Sequence, residues 1–246
     1  MKFSRFILLA LLCGVASAAD IEVHHGLKQT AVTIAEHQRL TDLYSKLTLS
    51  DDIDWSAAFL TNPEQQTALR SEAELLQNKL ISLGSAAEQQ DEKELADSFR
   101  LLASTLKSLP VASRIKTVLD PDWVRLRSEY NRPLAGSYVL YLPDYSEHVD
   151  VIGLAGNQPL KVKDGSNVRD YLAALTYQAG ADRDHIYLIA PDGFWQKVPV
   201  AVWNYVEKEA AAGSIIYVGI DPALLPSDMA DLNDRIATYI ANRIPE

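Results

Sequence analysis

The chain has 246 residues, 48% of them hydrophobic, a single cysteine and a formal charge of −10. A chain of this length can bury a core in one or two domains without disulfide or metal staples. The acidic balance argues against nucleic acid and against adhesion to anionic lipid.

Residues 1–18, MKFSRFILLALLCGVASA, have the parts of a secretory signal peptide. Lys2 and Arg5 form a basic start, 6–15 an apolar run, and Ala16-Ser17-Ala18 a small-residue site, so cleavage is expected before Ala19. The run is too short to span a bilayer, and no longer apolar run follows. Leu12, not a small residue, precedes Cys13, which argues against lipidation. Loss of the leader removes the cysteine. It leaves 21 basic side chains against 33 acidic ones, a formal −12, on an exported, soluble chain.

Residues 20–25 alternate apolar and polar, and 31–34 form a return strand after Gly26. A helix is expected over 35–47, with Leu40, Leu43, Tyr44 and Leu47 on one face. Strand signals then fade. Asn62-Pro63-Glu64-Gln65 starts a helix with an N-cap, a proline at N1 and Gln65 placed for a capping box. Leu69, Ala73, Leu76, Leu80 and Leu83 follow at helical spacing, and Gly84-Ser85 should break the run. Leu95, Phe99, Leu102, Leu106 and Leu109 repeat the pattern up to Pro110. Two such helices read as an antiparallel hairpin over 55–109. The short loop favours pairing within the chain over a coiled-coil dimer.

Strands are expected at 114–118, at 123–126 after the turn Asp120-Pro121-Asp122, and at 136–141. Residues 19–147 are then one β-rich domain interrupted by the hairpin. The stretch 148–221 holds VDVIGLAG, a turn at 156–159, a short helix at 168–177, then HIYLIA, FWQKVPV and GSIIYVGI. Gly and Asp punctuate its junctions, as turns require. Two strands, one helix and more strands in about 70 residues describe a β-grasp. Residues 222–246 end the chain in an amphipathic helix. Leu232, Ile236, Tyr239 and Ile240 line one face, and Asp234, Arg235, Asn242 and Arg243 the other. Without a lysine-rich polar face, this helix is expected to pack on its own domain rather than on a membrane.

No HExxH, GxSxG, P-loop or GxGxxG motif is present. His24 and His25 are neighbours on a strand, so their rings point to opposite faces and cannot readily share a metal. Asp120/Asp122 and Asp182/Asp184 read as turn-forming residues rather than as a facing catalytic pair. Arg114 and Arg125 flank the Asp120 turn. A guanidinium there suits the carboxylate of an acidic sugar or of a partner, or else an ion pair with Asp120. Arg114, Arg125 and Asp120 are therefore the candidate binding residues, with no catalytic residue, metal or cofactor expected. Trp195 and Trp203 are expected in the core or at a domain interface.

The stretches VLDPDWVRL, NRPLAGSYVLY, VIGLAGNQPLKVKDGSNVRDYL, AGADRDHIYLIAPDG, KVPVAVWN, GSIIYVG and ADLNDRIATYIANRIP cover most of 114–246. Together they resemble the periplasmic capsule-biosynthesis GfcC family, including its YjbG-like exopolysaccharide members. Arg114 falls where that family usually has arginine. One departure is Tyr205-Val206-Glu207-Lys208-Glu209-Ala210, where members carry a basic, proline-containing loop. The resemblance implies an α+β fold of two tandem β-grasp domains, a helical hairpin inserted in the first, and a C-terminal amphipathic helix. It also implies a Gram-negative periplasmic location and kinship with the β-grasp domains of outer-membrane polysaccharide export translocons. The expected role is a non-catalytic accessory in capsule or exopolysaccharide assembly or export. The chain would bind polysaccharide or an export component and act as a monomer, without nucleic acid or stable membrane insertion. The competing expectations are a hydrolase using the paired carboxylates and a purely protein-binding adaptor.

Overall fold

In the computed structural model the described residues are 18–35, 38–163, 165–173 and 175–245. Among them the chain forms a mixed α+β structure with two five-stranded mixed sheets and six α-helices. The expected leader lies outside the described residues except for Ala18.

The first sheet is built from β1 (Ala19–His25), β2 (Lys28–Ile34), β3 (Phe59–Thr61), β4 (Arg114–Ile115) and β5 (Ser137–Leu142). Between them come α1 (Leu40–Tyr44), the long helices α2 (Gln66–Gln89) and α3 (Lys93–Ser108), and α4 (Pro121–Leu126). The second sheet holds β6 (His148–Gly153), β7 (Gln158–Lys161), β8 (His185–Ile189), β9 (Trp195–Pro199) and β10 (Ile215–Val218). Helix α5 (Val168–Leu172) joins β7 to β8, and α6 (Leu232–Ile240) ends the chain.

Strand for strand, the two sheets share one order: β2-β1-β5-β3-β4 and β7-β6-β10-β8-β9. In each the second and third strands of that order are parallel and every other pair is antiparallel. In each, too, a short helix lies between the second and third strands in chain order. One-sided burial sets the register: β1 buries Ala19, Ile21 and Val23 and exposes Asp20 and Glu22, the period-two signature of a strand with one dry face.

Several local expectations are corrected. Residues 123–126 are helical. Asp120 accepts the amides of Asp122 and Trp123, and Pro121 follows at N1, so an N-terminal cap overrides the apolar alternation. The expected strand at 114–118 is paired only over β4; of the helix expected at 35–47, residues 36 and 37 lie outside the described residues, and the described ones are α-helical only over α1. Gln65 completes no capping box; Asn62 instead accepts the Glu64 amide and opens a 3-10 turn before α2.

Gly84-Ser85 does not break the hairpin, because α2 continues to Gln89. The chain reverses just after it, at Asp91, whose φ is +63°. Glycine inside a helix costs only about 1 kcal/mol relative to alanine, and here its bare backbone is a packing surface. A Cβ at 84 would sit 3.2 Å from the Ala96 carbonyl oxygen.

The hairpin is inserted between strands of the first sheet, yet its apolar face belongs to the second. Leu76, Leu80, Phe99, Leu102 and Leu106 share one core with Val149, Ile216, Ile236 and Ile240. A smaller core of Ile21, Leu40, Leu43, Leu60 and Leu140 serves the first sheet. Helix α6 is held on both faces. Besides its buried apolar side, Arg235 makes a bidentate pair with Glu72 at 2.9 and 2.8 Å. Asp234 accepts the Tyr187 hydroxyl, and Arg243 pairs with Asp150. The polar face of this segment is thus largely consumed inside the molecule. Among the described residues no helix is long and apolar enough to cross a membrane.

Candidate functional site

The sites named from the sequence converge only in part. Asp120 is the cap of α4 and does not pair with Arg114. Arg125 lies on α4, exposed, with its nearest acid Asp122 at 3.4 Å. Asp182 likewise bonds backbone, its Oδ1 accepting the amides of Asp184 and His185 at 2.8 and 3.0 Å. In Asp120 and in Asp182 one carboxylate oxygen holds a local cap or turn.

Arg114 is the junction residue. It pairs with Thr61 across the first sheet, and its backbone amide donates to Asn242 Oδ1 at 3.0 Å. Its guanidinium donates to the carbonyl oxygens of Pro191 and Arg243, each at 2.9 Å. The Phe59 ring lies 4.1 Å from its Cζ, Phe59 stacks on Tyr141 at 4.7 Å, and His24 meets Tyr141 edge-on at 4.9 Å. A column of rings therefore runs across three strands of the first sheet and ends under a cation on a fourth that bonds the second unit. Burial, then the nearby Arg243 charge, lower the Arg114 pKa to about 10, against the pull of Asp192. The group is still cationic at neutral pH.

The turn that receives Arg114 was marked in the sequence by PDG. Gly193 has φ +85°, and a Cβ there would lie 2.9 Å from the Ala241 carbonyl oxygen. Only glycine combines that backbone with so close an approach to the end of α6. Asp192 secures the turn by accepting the Phe194 amide at 2.8 Å.

Two cavities meet at this junction. One, about 640 Å³, is lined by Asp54, Asp144, Glu147 and Asp150 as well as Arg114 and Arg243. The other, about 960 Å³, has Arg114, Lys116 and Arg132 on its walls against Glu129 and Asp192, with Tyr130, Phe194 and Trp195. On a chain this acidic, a groove with a cationic excess and three aromatic rings reverses the local sign. Trp195 is half-buried there, its Nε1 donating to Thr238 Oγ1 at 3.2 Å. Trp203, expected to be buried, is 75% exposed. It sits in an irregular turn after β9, outside either strand. Lys116, Arg132, Phe194 and Tyr130 were not singled out from the sequence. Isolated basic and aromatic residues from segments far apart carry no spacing signal.

The comparisons with known proteins cover nearly the whole length of the chain. Residues 17–144 match the family described as "Capsule biosynthesis GfcC, N-terminal", and residues 154–245 match "Capsule biosynthesis GfcC C-terminal". The chain is 31% identical over 235 residues to "Uncharacterized protein YjbG" of Escherichia coli (strain K12), covering 94% of this chain and 93% of that protein. The chain belongs to the capsule biosynthesis GfcC family.

Proposed function

We propose that this chain is a non-catalytic accessory of capsule or exopolysaccharide assembly or export, working in the periplasm after removal of its leader. In this reading the two units with equal strand order are tandem β-grasp domains, and an acidic glycan occupies the groove between them. The observation that carries the reading is the 960 Å³ groove, with Lys116, Arg132 and Arg114 beside Trp195, Phe194 and Tyr130. Cations recognise uronate or pyruvyl carboxylates, and rings stack on sugar faces. Arg114 is committed to two carbonyls, so it fixes the floor of the groove, while Lys116 and Arg132 supply the free charge. The family's description as capsule biosynthesis supports the same assignment. An export component remains the competing occupant.

Calorimetric titration with a soluble acidic exopolysaccharide, with neutral dextran as control, tests it. The parent should bind the acidic polymer and ignore dextran, and binding should weaken as salt rises. The double variant Lys116→Ala, Arg132→Ala should bind about 30-fold more weakly, at about 1 kcal/mol for each of the two lost charged contacts. Equal binding by parent and variant, or no binding by either, removes the glycan reading. Release of oligosaccharides, abolished by Asp120→Asn or Asp182→Asn, would establish a hydrolase instead.

A further inference from the structure

A separate cavity of about 580 Å³ opens at the far end of the β8–β9 hairpin from Trp195. Its wall includes Gln178, Asp182, Arg183, His185, Lys197 and Asp221. The volume falls within the roughly 300–1,000 Å³ usual for small-ligand sites. Asp182 is only 3% exposed. Its Oδ1 is satisfied by two amides, but its Oδ2 is buried without a donor, and so is Gln178 Oε1. A buried acceptor left unpaired loses its hydration without replacement, and the loss is greater when it is charged. Native proteins leave few such groups, and two in one cavity wall call for a ligand that brings donors.

The rest of the wall narrows the class of that ligand. Arg183 lies 5.4 Å from the Tyr177 ring and Lys197 5.8 Å from the Tyr187 ring. With His185 they disfavour an ammonium ion. Asp182, Asp184 and Asp221 disfavour phosphate. An uncharged ring carrying several hydroxyls offers donors to the floor and acceptors to the cationic rim, and it offends neither set. His185 Nδ1 stands 3.9 Å from Asp182 Oδ2, beyond hydrogen-bonding range. The imidazole is partly exposed.

We infer that this cavity is a hexose subsite in which Asp182 and Gln178 accept hydrogen bonds from sugar hydroxyls. The inference rests on the glycan reading above and adds a second contact for the same polymer. Trp195 of the groove and Lys197 of the cavity are two apart on β9 and so share a face. Tyr187 lies between them, its ring centroid 5.5 Å from that of Trp195. A polysaccharide leaving the groove along this strand meets the cavity within roughly 15 Å.

Amide-shift mapping of the full mature chain with D-glucose and D-galactose, and separately with ethanolamine and inorganic phosphate, tests the assignment. Either hexose should shift the Gly180, Asp184 and His185 amides and leave the Trp195 indole signal unmoved. Gln178→Met removes an acceptor that makes no internal bond. It should weaken the hexose about two- to tenfold, the loss expected for one hydrogen bond, without lowering thermal stability. Asp182→Asn should weaken it as well, but this residue also holds its turn, so the Gln178 variant carries the decision. No shift with either hexose, unchanged affinity in Gln178→Met, or shifts only with ethanolamine or phosphate would overturn the inference. Acidic-polymer binding that still depended on Lys116 and Arg132 would then leave the broader reading standing. Hexose shifts without polymer binding would do the reverse.

Discussion

Arg114 shows how a charge can be recognised in a sequence while its partners stay hidden. Its position beside the hairpin's return and its value as a bidentate donor were both legible. Its acceptors were not, because they are carbonyl oxygens 77 and 129 residues away, and backbone groups have no residue code. Burial opposes this cation, as the fall of its pKa to about 10 records, and the two carbonyl bonds with the Phe59 face offset that cost. The planar fork is essential to the arrangement. Lysine at 114 would keep the buried charge but reach only one carbonyl and lose the stacked contact. Arg114→Lys should therefore lower stability by about 1.5–3 kcal/mol, the range for a hydrogen bond to a charged donor. This would be read as a lower urea midpoint at unchanged slope. A lysine variant as stable as its parent would mean that the fork holds nothing. The same reasoning explains why the Asp120 partnership failed: a carboxylate before proline is already claimed by the free amides of a helix start.

At the scale of elements, periodicity was read correctly where burial is one-sided and misread where a local signal had two meanings. The hairpin registers followed from leucine spacing, and Leu76, Leu80, Leu102 and Leu106 are all buried as that spacing requires. Four strands of the second sheet were found as runs punctuated by Gly or Asp, but β7 was missed: Gln158 and Pro159 were read as turn, and this exposed edge strand has no apolar run to mark it. Residues 123–126 were missed because Trp123, Val124 and Leu126 suit a strand by composition, whereas the Asp-Pro ahead of them suits a helix. Gly84 was misread because glycine signals both helix ends and close helix packing, and only the facing helix decides. That facing helix supplies a test. Gly84→Leu would drive a side chain into the Ala96 carbonyl, the Arg100 stem and Phe99, all within 3.7 Å of a modest Cβ. Overpacking of this kind costs about 1–3 kcal/mol, more than leucine regains in helix propensity. The expected result is a lower urea midpoint; a higher one would mean that α2 and α3 separate freely.

At the scale of the molecule, chain order and packing order disagree, and this disagreement ties the two sheets together. The hairpin leaves the first sheet after β3, completes the core of the second, and returns through β4. Its return is clamped by the chain end: the Ala112 amide donates to the Asn242 carbonyl and the Ile244 amide to the Pro110 carbonyl, both at 2.9 Å. Opening the second core would therefore release the hairpin, the Arg114 carbonyls and the groove in one step. Two sheets joined by a simple linker would unfold separately; two interlocked this way should unfold together. Calorimetry of residues 19–246 should give one transition whose calorimetric and van't Hoff enthalpies agree. Ile236→Ala, in the second core alone, should remove roughly 2–5 kcal/mol and move the whole transition to lower temperature. If only part of the heat moved, leaving the remainder at the parental temperature, the first sheet would be standing without the second, and the groove could not depend on both.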